Sequence, residues 1–481
     1  MDDRAGFCSA LQTDFYELTM AQGYFKNKKR GRAVFEMFFR KHPFGGGFSV
    51  FAGLGTLLEK LSKFSFSKSD IEYLSSLGVF CGEFLDYLAG FKFTGRLDAI
   101  DEGTVVFPQE PLIRVDGNII ECQIIEALIL NTINFQSLIA TKSARIYLAS
   151  GEGSLMEFGF RRAQGLDGAL SASRASFIGG ANSTSNVLAG KQFGIKVTGT
   201  MAHSWVMAFP SEEEAFRAYA DLYPNHPVFL IDTYDTLRSG INNAIKVGKE
   251  IVMRGGSFGV RLDSGDVQYL SCAVRKKLDE ADCKNATIAV SNDLDEFIIK
   301  ALVEQKAPVD SWGVGTRMIT GGNEAAFTGV YKLVAHEGGG VLLPAMKFSD
   351  TPEKTTIPGV KQVWRIKDRD GLAIADVLAL DGEQDAPVRG QSIFWHPAAD
   401  YRHFLCGIET EPELLLKRRL EAGALVSEQP KLDEIKKRCK LELSSFDSTY
   451  KRFLNPHIYK VSITEKIRDL KLNLIKHYLG Q

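Results

Sequence analysis

No two of the seven cysteines (Cys8, Cys81, Cys122, Cys272, Cys283, Cys406 and Cys439) form a CxxC pair, and their number is odd. That argues against a zinc cluster and against a disulfide framework, and reduced thiols are expected. Excess charge is missing too. Lys and Arg total 58 against 59 Asp and Glu, a net charge of -1. A nucleic-acid surface or a polybasic membrane patch is therefore not expected. No stretch of 18 apolar residues occurs, so no transmembrane helix is expected. The terminus MDDRAGF lacks a basic region followed by an apolar run, so no signal peptide is expected and the cytoplasm is the expected compartment. Neither a P-loop nor a GxGxxG is present, so any phosphate site must be built locally.

What the chain does have is a run of short apolar stretches, each closing on polar residues. They are GIKVTGTMAHS from Gly194, PVFLIDTYDT from Pro227, SFGVRLDSGD from Ser257, TIAVSNDLDE from Thr287 and SWGVGTRMITGG from Ser311. SLMEFGFRRAQG from Ser154 precedes them. A spacing of about thirty residues with one β-rich run per unit fits a βα repeat. Continuous apolar runs suit parallel strands buried on both faces. In such sheets ligands bind at the C-terminal strand ends, where His203, Asp232, Arg261, Asp263, Asn292 and Thr316 would converge.

A length of 481 residues exceeds one ordinary core. The expected division is an N-terminal α/β domain over 1–145, an irregular (β/α) barrel carrying the active site over 146–343, and a 344–481 segment packing with the first. Within the first part, Leu11–Phe25 reads as a helix and Arg32–Lys41 as an aromatic-rich alternating strand. Lys68–Gly78 has a Ser-Asp start signal and a Gly stop, hence a helix. Short strands are expected over Phe93–Gly117, then a long apolar helix up to about residue 150. The stretch after His336 reads as hairpin-like. EPELLLKRRLEAGAL and PKLDEIKKRCKLEL, near the end, read as helical.

Each polar cluster has a bland reading beside the chemical one. A lone histidine is usually structural, but His203 sits three residues beyond a Gly-Thr on a polar rim, and imidazole titrates near neutrality. Arg261 and Asp263 alternate onto one face. Arginine suits a bidentate grip on phosphate or carboxylate, and aspartate suits Mg²⁺ or ribose hydroxyls; the bland reading is a surface ion pair. Gly313, Gly315, Thr316, Gly321 and Gly322 could offer backbone N–H groups to a phosphate, although glycine turns are common. Phe158 and Phe160 alternate before Arg161 and Arg162, a pattern that suits a flat anionic ring or plain core packing. Asp232 and Asp235 in IDTYDT read as rim polar groups, and Met318 and Ile319 as core.

Taken together, LQTDFYELTMAQGYF, EFGFRRAQG, GTMAHSW, GVRLDSGD, VSNDLDE, GVGT and KTTIPGVKQVWR resemble the nicotinate phosphoribosyltransferases, in that family's order and across residues 11 to about 366. The resemblance implies a type II phosphoribosyltransferase with an irregular α/β barrel beside an α/β domain. It implies ATP-coupled joining of nicotinate to phosphoribosyl pyrophosphate (PRPP), with Mg²⁺ as cofactor, in a homodimer whose sites are shared between subunits. By motif, His203 corresponds to the histidine phosphorylated from ATP. Tyr16 would reach the neighbouring subunit's site and stack on the pyridine ring, with Phe158 on the ring's other face. Arg161 and Thr200 would bind nicotinate, and Arg261 PRPP and nicotinate. Asp232 and Asp263 would hold ribose, pyrophosphate or Mg²⁺. Asn292, Gly315 and Thr316 would cradle the 5-phosphate, with Arg162, Lys332 and Lys361 as further phosphate ligands.

Other readings stay open on sequence alone. A nicotinamide-type enzyme would be expected to carry an acidic residue toward the carboxamide, where FGFRRAQG and GTMAHSW offer Arg, Thr and Ser. A sugar-phosphate aldolase or isomerase would need a strand-end Lys or Glu, and of the strand ends only Glu296 intrudes. A non-catalytic sensor retaining the fold would not need the His203–Arg261–Asp263 set.

Overall fold

The computed structural model describes residues 9–349, 354–383, 390–408 and 411–480. The MDDRAGF terminus, Cys8 and part of the stretch after Phe348 lie outside the described residues. The six described cysteines are free thiols. The chain forms two compact units, Ile139–Ala325 and a second one joining the residues before Ile139 to those after Ala325. The units change at 138/139 and 325/326, where the sequence placed boundaries at 145/146 and 343/344. The later boundary moves because Gly329–Gly338 pairs along Arg32–Phe39 and so belongs to that sheet.

The unit Ile139–Ala325 is built on six parallel strands: β1 (Ser154–Glu157), β2 (Ser183–Thr184), β3 (Val228–Leu230), β4 (Gly259–Leu262), β5 (Thr287–Asn292) and β6 (Ser311–Val314). Their order is β2-β1-β6-β5-β4-β3. Phe229, Leu230, Val260, Leu262, Ile288, Val290, Trp312 and Val314 are buried, as strands covered on both faces require. Helices Leu166–Ile178, Ile241–Met253, Val267–Glu280 and Glu296–Glu304 provide crossovers between them. In Ile241–Met253 the buried Ile241, Ala244, Val247, Gly248 and Ile251 follow the helical period. Because the strands are parallel, their C-terminal ends share one side.

One expectation changes here. GIKVTGT makes no regular strand; Val197 contributes a single parallel bridge to Thr184. Its one apolar pair, Ile195 and Val197, is too short a run between glycines to sustain a ladder. The six strands form an open sheet, and among the described residues no sheet closes on itself.

The second unit contains a seven-stranded antiparallel sheet and a six-stranded mixed one. Arg32–Phe39 lies between Gly329–Gly338 and Ile113–Asn118, so strands from both ends of the chain are interleaved. Gly339 and Gly340 both have positive φ (60° and 81°) and turn the chain into Val341–Pro344, as a two-residue hairpin needs. Helix Phe15–Lys26 and helix Lys68–Ser76 form where expected, the second capped reciprocally by Ser67 and Asp70. PKLDEIKKRCKLEL forms helix Leu432–Ser444.

EPELLLKRRLEAGAL does not become a helix. It supplies strands Glu413–Leu414, Lys417–Glu421 and Ala424–Leu425. Tertiary pairing overrides propensity there: Lys417–Glu421 runs along Arg96–Ala99, Leu415, Leu416 and Leu420 are buried, and Lys417 and Arg419 pair with Asp101 at 2.6 Å. Burial would raise the Asp98 carboxyl, but Arg114, Arg418 and Arg96 more than offset it and hold it below its ordinary range. The stretch Ile119–Ala149 is long and apolar enough to cross a membrane by length and composition, yet 72% of its most apolar window is buried within the fold.

Glu17, in helix Phe15–Lys26, is fully buried and accepts a hydrogen bond from Thr13 Oγ1. Burial, with the neighbouring Glu126 adding to it, pushes its carboxyl up to about 8. A carboxyl raised on folding is equally protonated in both states below the unfolded value, and its contribution is lost as pH rises toward the folded value. Stability is therefore expected to fall between about pH 4.5 and pH 8 through this group. Glu17→Gln should flatten that slope and raise the melting temperature at pH 8. An unchanged pH profile in the variant would remove Glu17 from the account.

Candidate active site

A cavity of about 520 Å³ opens at the C-terminal ends of β1, β4, β5 and β6. All of its lining residues lie between Phe158 and Thr316. One part is made by Phe158, directly after β1, and by Phe160, Arg161 and Arg162 in the short 3₁₀ turn that follows. Another comes from Gly199, Thr200, Met201 and Ala202, just before helix His203–Met207. The strands contribute Arg261 and Asp263, then Ser291, Asn292 and Asp293, then Gly313, Gly315 and Thr316. Nine of the fourteen site residues read from the sequence are thus gathered in one place: Phe158, Arg161, Arg162, Thr200, Arg261, Asp263, Asn292, Gly315 and Thr316.

The polar floor is interlocked. Arg261 Nη1 donates to Thr200 Oγ1 and, at 3.2 Å, to the Met201 carbonyl. Its Nη2 lies 3.5 Å from Asp263 Oδ1, which also accepts from Ser291 Oγ. Asp232 sits just behind, its Oδ2 accepting from the Asp263 N–H at 3.0 Å and from Ser264 Oγ at 2.6 Å. Asp232 Oδ1 is buried with no hydrogen-bond partner, and so is Arg261 Nε. His203, at the start of its helix, has Nδ1 3.2 Å from Thr233 Oγ1 and Nε2 3.9 Å from Asp263 Oδ2. Among the described residues no ion pair holds Arg161 or Arg162, and both are exposed. The cavity thus offers two uncommitted guanidinium groups to an anion.

Phe158 owes its place to Gly313. A Cβ at that position would lie 2.7 Å from the Phe158 ring, so only glycine lets the ring rest against β6. Met318 and Ile319 are fully buried, as expected of core.

Several expected residues stand elsewhere. Tyr16 belongs to helix Phe15–Lys26 in the other unit and does not line the cavity. Lys361 is buried in an ion pair with Glu36 at 2.8 Å and also donates to the Ile357 and Gly359 carbonyls. That leaves its ammonium committed to the fold rather than to a phosphate. Lys332 lies in strand Gly329–Gly338, also outside the cavity. Asp235 caps the turn Thr236–Gly240 and Asp266 caps Val267–Glu280, so both are helix-start groups. Glu296 is fully buried between Lys142 (2.6 Å) and Arg145 (2.8 Å), a structural triad. Among the described residues no group of three or more His, Cys, Asp or Glu could hold a metal ion alone.

Sequence reasoning missed Ser185, Ser291 and Asp293 in the lining, and Thr233 and Ser264 behind it. Ser291, Asp293, Thr233 and Ser264 each adjoin a residue that was identified, so the signal was adjacency at a strand end; Ser185 follows the polar run Asn182–Thr184 and carried no such signal. It also missed Glu157, the last residue of β1.

Family models and curated relatives point to the same family. Family models match in chain order: the nicotinate phosphoribosyltransferase N-terminal domain over residues 11–134, the nicotinate phosphoribosyltransferase family over 154–373, and the corresponding C-terminal domain over 360–471. The nicotinate phosphoribosyltransferase of Bacillus subtilis (strain 168) is 42% identical over 97% of this chain and 95% of its own. That of Homo sapiens is 34% identical over 96% of this chain and 95% of its own. The crystal structure of human nicotinic acid phosphoribosyltransferase superposes with a TM-score of 0.85 at 31% identity, covering 96% of this chain and 99% of that one.

Proposed function

The chain belongs to the nicotinate phosphoribosyltransferase family, and from that premise we propose how its residues divide the work. The activity is phosphoribosyl transfer to nicotinate, with nicotinate mononucleotide and pyrophosphate as products. The observation that carries the site assignment is the gathering of an aromatic ring, three arginines and a glycine-threonine turn in one cavity.

Nicotinate lies against Phe158, its carboxylate held by Arg161 and by the Arg261–Thr200 pair. PRPP occupies the other end. Asn292, Gly315 and Thr316 take the 5-phosphate, and Arg261, Asp232 and Asp263 face the ribose and pyrophosphate. The pyridine nitrogen already carries a free lone pair, so no base is needed. The N–C1′ bond forms as the C1′–O bond to pyrophosphate breaks, and the leaving group keeps the electron pair. Oxocarbenium character builds at C1′, so orientation of the two substrates and stabilisation of the departing charge supply the rate.

Mg²⁺ fits the residues present. Magnesium is commonly bound through one or two carboxylates plus substrate phosphates, and Asp232 offers a buried oxygen without a partner beside Asp263. Bound there, the ion would neutralise charge on the pyrophosphate. Asp232 and Asp263 are the residues that would hold it.

His203 accepts a phosphoryl group from ATP. The added negative charge lies beside Asp263 and reorganises the groups that face pyrophosphate, tying ATP hydrolysis to PRPP binding. His203→Ala is expected to abolish ATP stimulation while an ATP-independent reaction survives. Phosphate on His203 should appear by mass spectrometry after incubation of the wild type with ATP. Persistence of ATP stimulation in the alanine variant would remove this role.

The working form is a cytoplasmic homodimer in which Tyr16 of each subunit serves the other's cavity. The open six-stranded sheet, continued by the Val197 bridge to Thr184, is read as an irregular barrel. The direct test is turnover of labelled nicotinate with PRPP, with and without ATP. Nicotinate mononucleotide should form in both, faster with ATP. No PRPP-dependent product from nicotinate would overturn the proposal.

A further inference from the structure

Glu157 is a buried charge that the chemistry above does not use. It ends β1, directly before the Phe158–Arg162 turn, and is 0% exposed. One carboxylate oxygen accepts from the Gly159 N–H. The other accepts from Ser173 Oγ at 2.9 Å, on helix Leu166–Ile178, and from Thr184 Oγ1 at 2.5 Å, on β2. Its backbone carbonyl accepts the Ser185 N–H at 2.8 Å. Among the described residues no cation pairs with it. A buried carboxylate without a counter-ion is costly unless its lone pairs are filled, so its three donors must stay where they are.

Those donors belong to three segments around the ring end of the cavity. Gly159 carries the turn with Phe158, Phe160, Arg161 and Arg162. Thr184 precedes Ser185, which also lines the cavity, and Thr184 Oγ1 accepts from the Asn186 N–H at 3.0 Å. Ser173 accepts from Asn186 Nδ2 at 3.2 Å, closing the network. The Gly159 backbone itself packs on Ile319 and the Gly315 carbonyl, where a Cβ would lie 2.6 Å and 3.0 Å away. The turn is therefore held on one side by this packing and on the other by the tie to Glu157.

We propose that Glu157 is a positioning residue for nicotinate: by fastening the turn after β1 to the Ser173 helix and to β2, it sets the angle at which Phe158 and Arg161 meet the ring. It acts through hydrogen bonds and touches no substrate. The inference rests on the nicotinate reading of the cavity given above.

Glutamine at this position can still accept from Gly159, and its amide can donate to the two hydroxyls, which rotate to accept. Alanine can do neither. Glu157→Ala is expected to raise the KM for nicotinate about tenfold or more, while the KM for PRPP stays within about twofold. Glu157→Gln should restore the nicotinate KM to within about threefold of wild type. Circular dichroism and melting curves report whether each variant folds. Should Glu157→Ala not fold, Glu157→Asp, shorter by one methylene, is read by the same split between the two KM values. Equal rises in both KM values, no rise in either, or no recovery with glutamine would overturn the positioning role. The wild-type assay separates the two levels: an inactive wild type overturns the nicotinate reading itself, whereas an active wild type with the wrong variant pattern overturns only Glu157.

Discussion

Mixing the inactive Tyr16→Ala and Arg261→Ala proteins in equal amounts is expected to restore about a quarter of wild-type activity once subunits exchange, because half the dimers are hybrids and each hybrid has one intact site. The motive is a mismatch between two parts of the chain. The cavity is lined wholly by residues from Phe158 to Thr316, so its aromatic lining is Phe158 and Phe160, both from the turn after β1. Tyr16 stands on helix Phe15–Lys26 in the other unit, 46% exposed, with Phe15 and Met20 exposed beside it. Large apolar side chains on one outward helical face are what an interface uses as anchors. Burial and the nearby charge of Glu126 raise the Tyr16 phenol well above its ordinary value. An exposed, neutral aromatic ring suits stacking on a second copy's substrate. Each variant alone must first be shown to be folded and inactive, and exchange must be confirmed by mass-tagged subunits. Mixtures that exchange freely yet stay inactive would rule out sites shared between subunits.

Most of the site was legible because its chemistry sits at the ends of apolar runs. A parallel strand must be apolar to be buried on both faces, so the first polar residues after it stand out against it. Arg261, Asp263, Asn292, Gly315 and Thr316 were all visible this way, and all line the cavity. What the pattern could not show was which polar groups serve the backbone instead. Asp235 and Asp266 look like rim ligands in one dimension and are helix caps in three. Glu157 was not singled out and is a buried tie. Lys361 sits in a matching motif, yet its ammonium is spent on Glu36, a residue 325 positions away in sequence. The fold was least legible where distant pairing decides the outcome. KRRLE has good helix formers, but its neighbours are Asp98 on strand Arg96–Ala99 and Asp101 just after it, and those carboxylates draw it into the sheet. GIKVTGT failed in the opposite sense: a strand-like composition that finds a single bridging partner.

Wild-type protein is expected to prefer nicotinate over nicotinamide strongly, and the two arginines should contribute unequally. The cavity lining holds three arginines, Arg161, Arg162 and Arg261, against two aspartates, Asp263 and Asp293. Asp263 is already engaged by Ser291 and Arg261, so a neutral carboxamide gains little there and an anionic carboxylate meets net positive charge. A charge-assisted hydrogen bond contributes about 1.5–3 kcal/mol, which is roughly 10- to 150-fold per arginine. Arg161 is exposed, and solvent screening places it near the lower end of that range. Arg161→Gln should therefore raise the KM for nicotinate about tenfold and leave that for PRPP nearly unchanged. Arg261 is only 14% exposed at its side chain and orders Thr200, the Met201 carbonyl and Asp263 at once. Its replacement by glutamine strips charge from the carboxylate and loosens the Asp263–Asp232 pair, so both substrates should suffer, each by more than tenfold, and kcat should fall with them. The measurement is a pair of saturation curves for each variant, with nicotinamide run beside nicotinate. Comparable turnover of the two by the wild type would overturn the role given to the arginines. A selective nicotinate defect in Arg261→Gln, with PRPP untouched, would move the pyrophosphate contact to other residues.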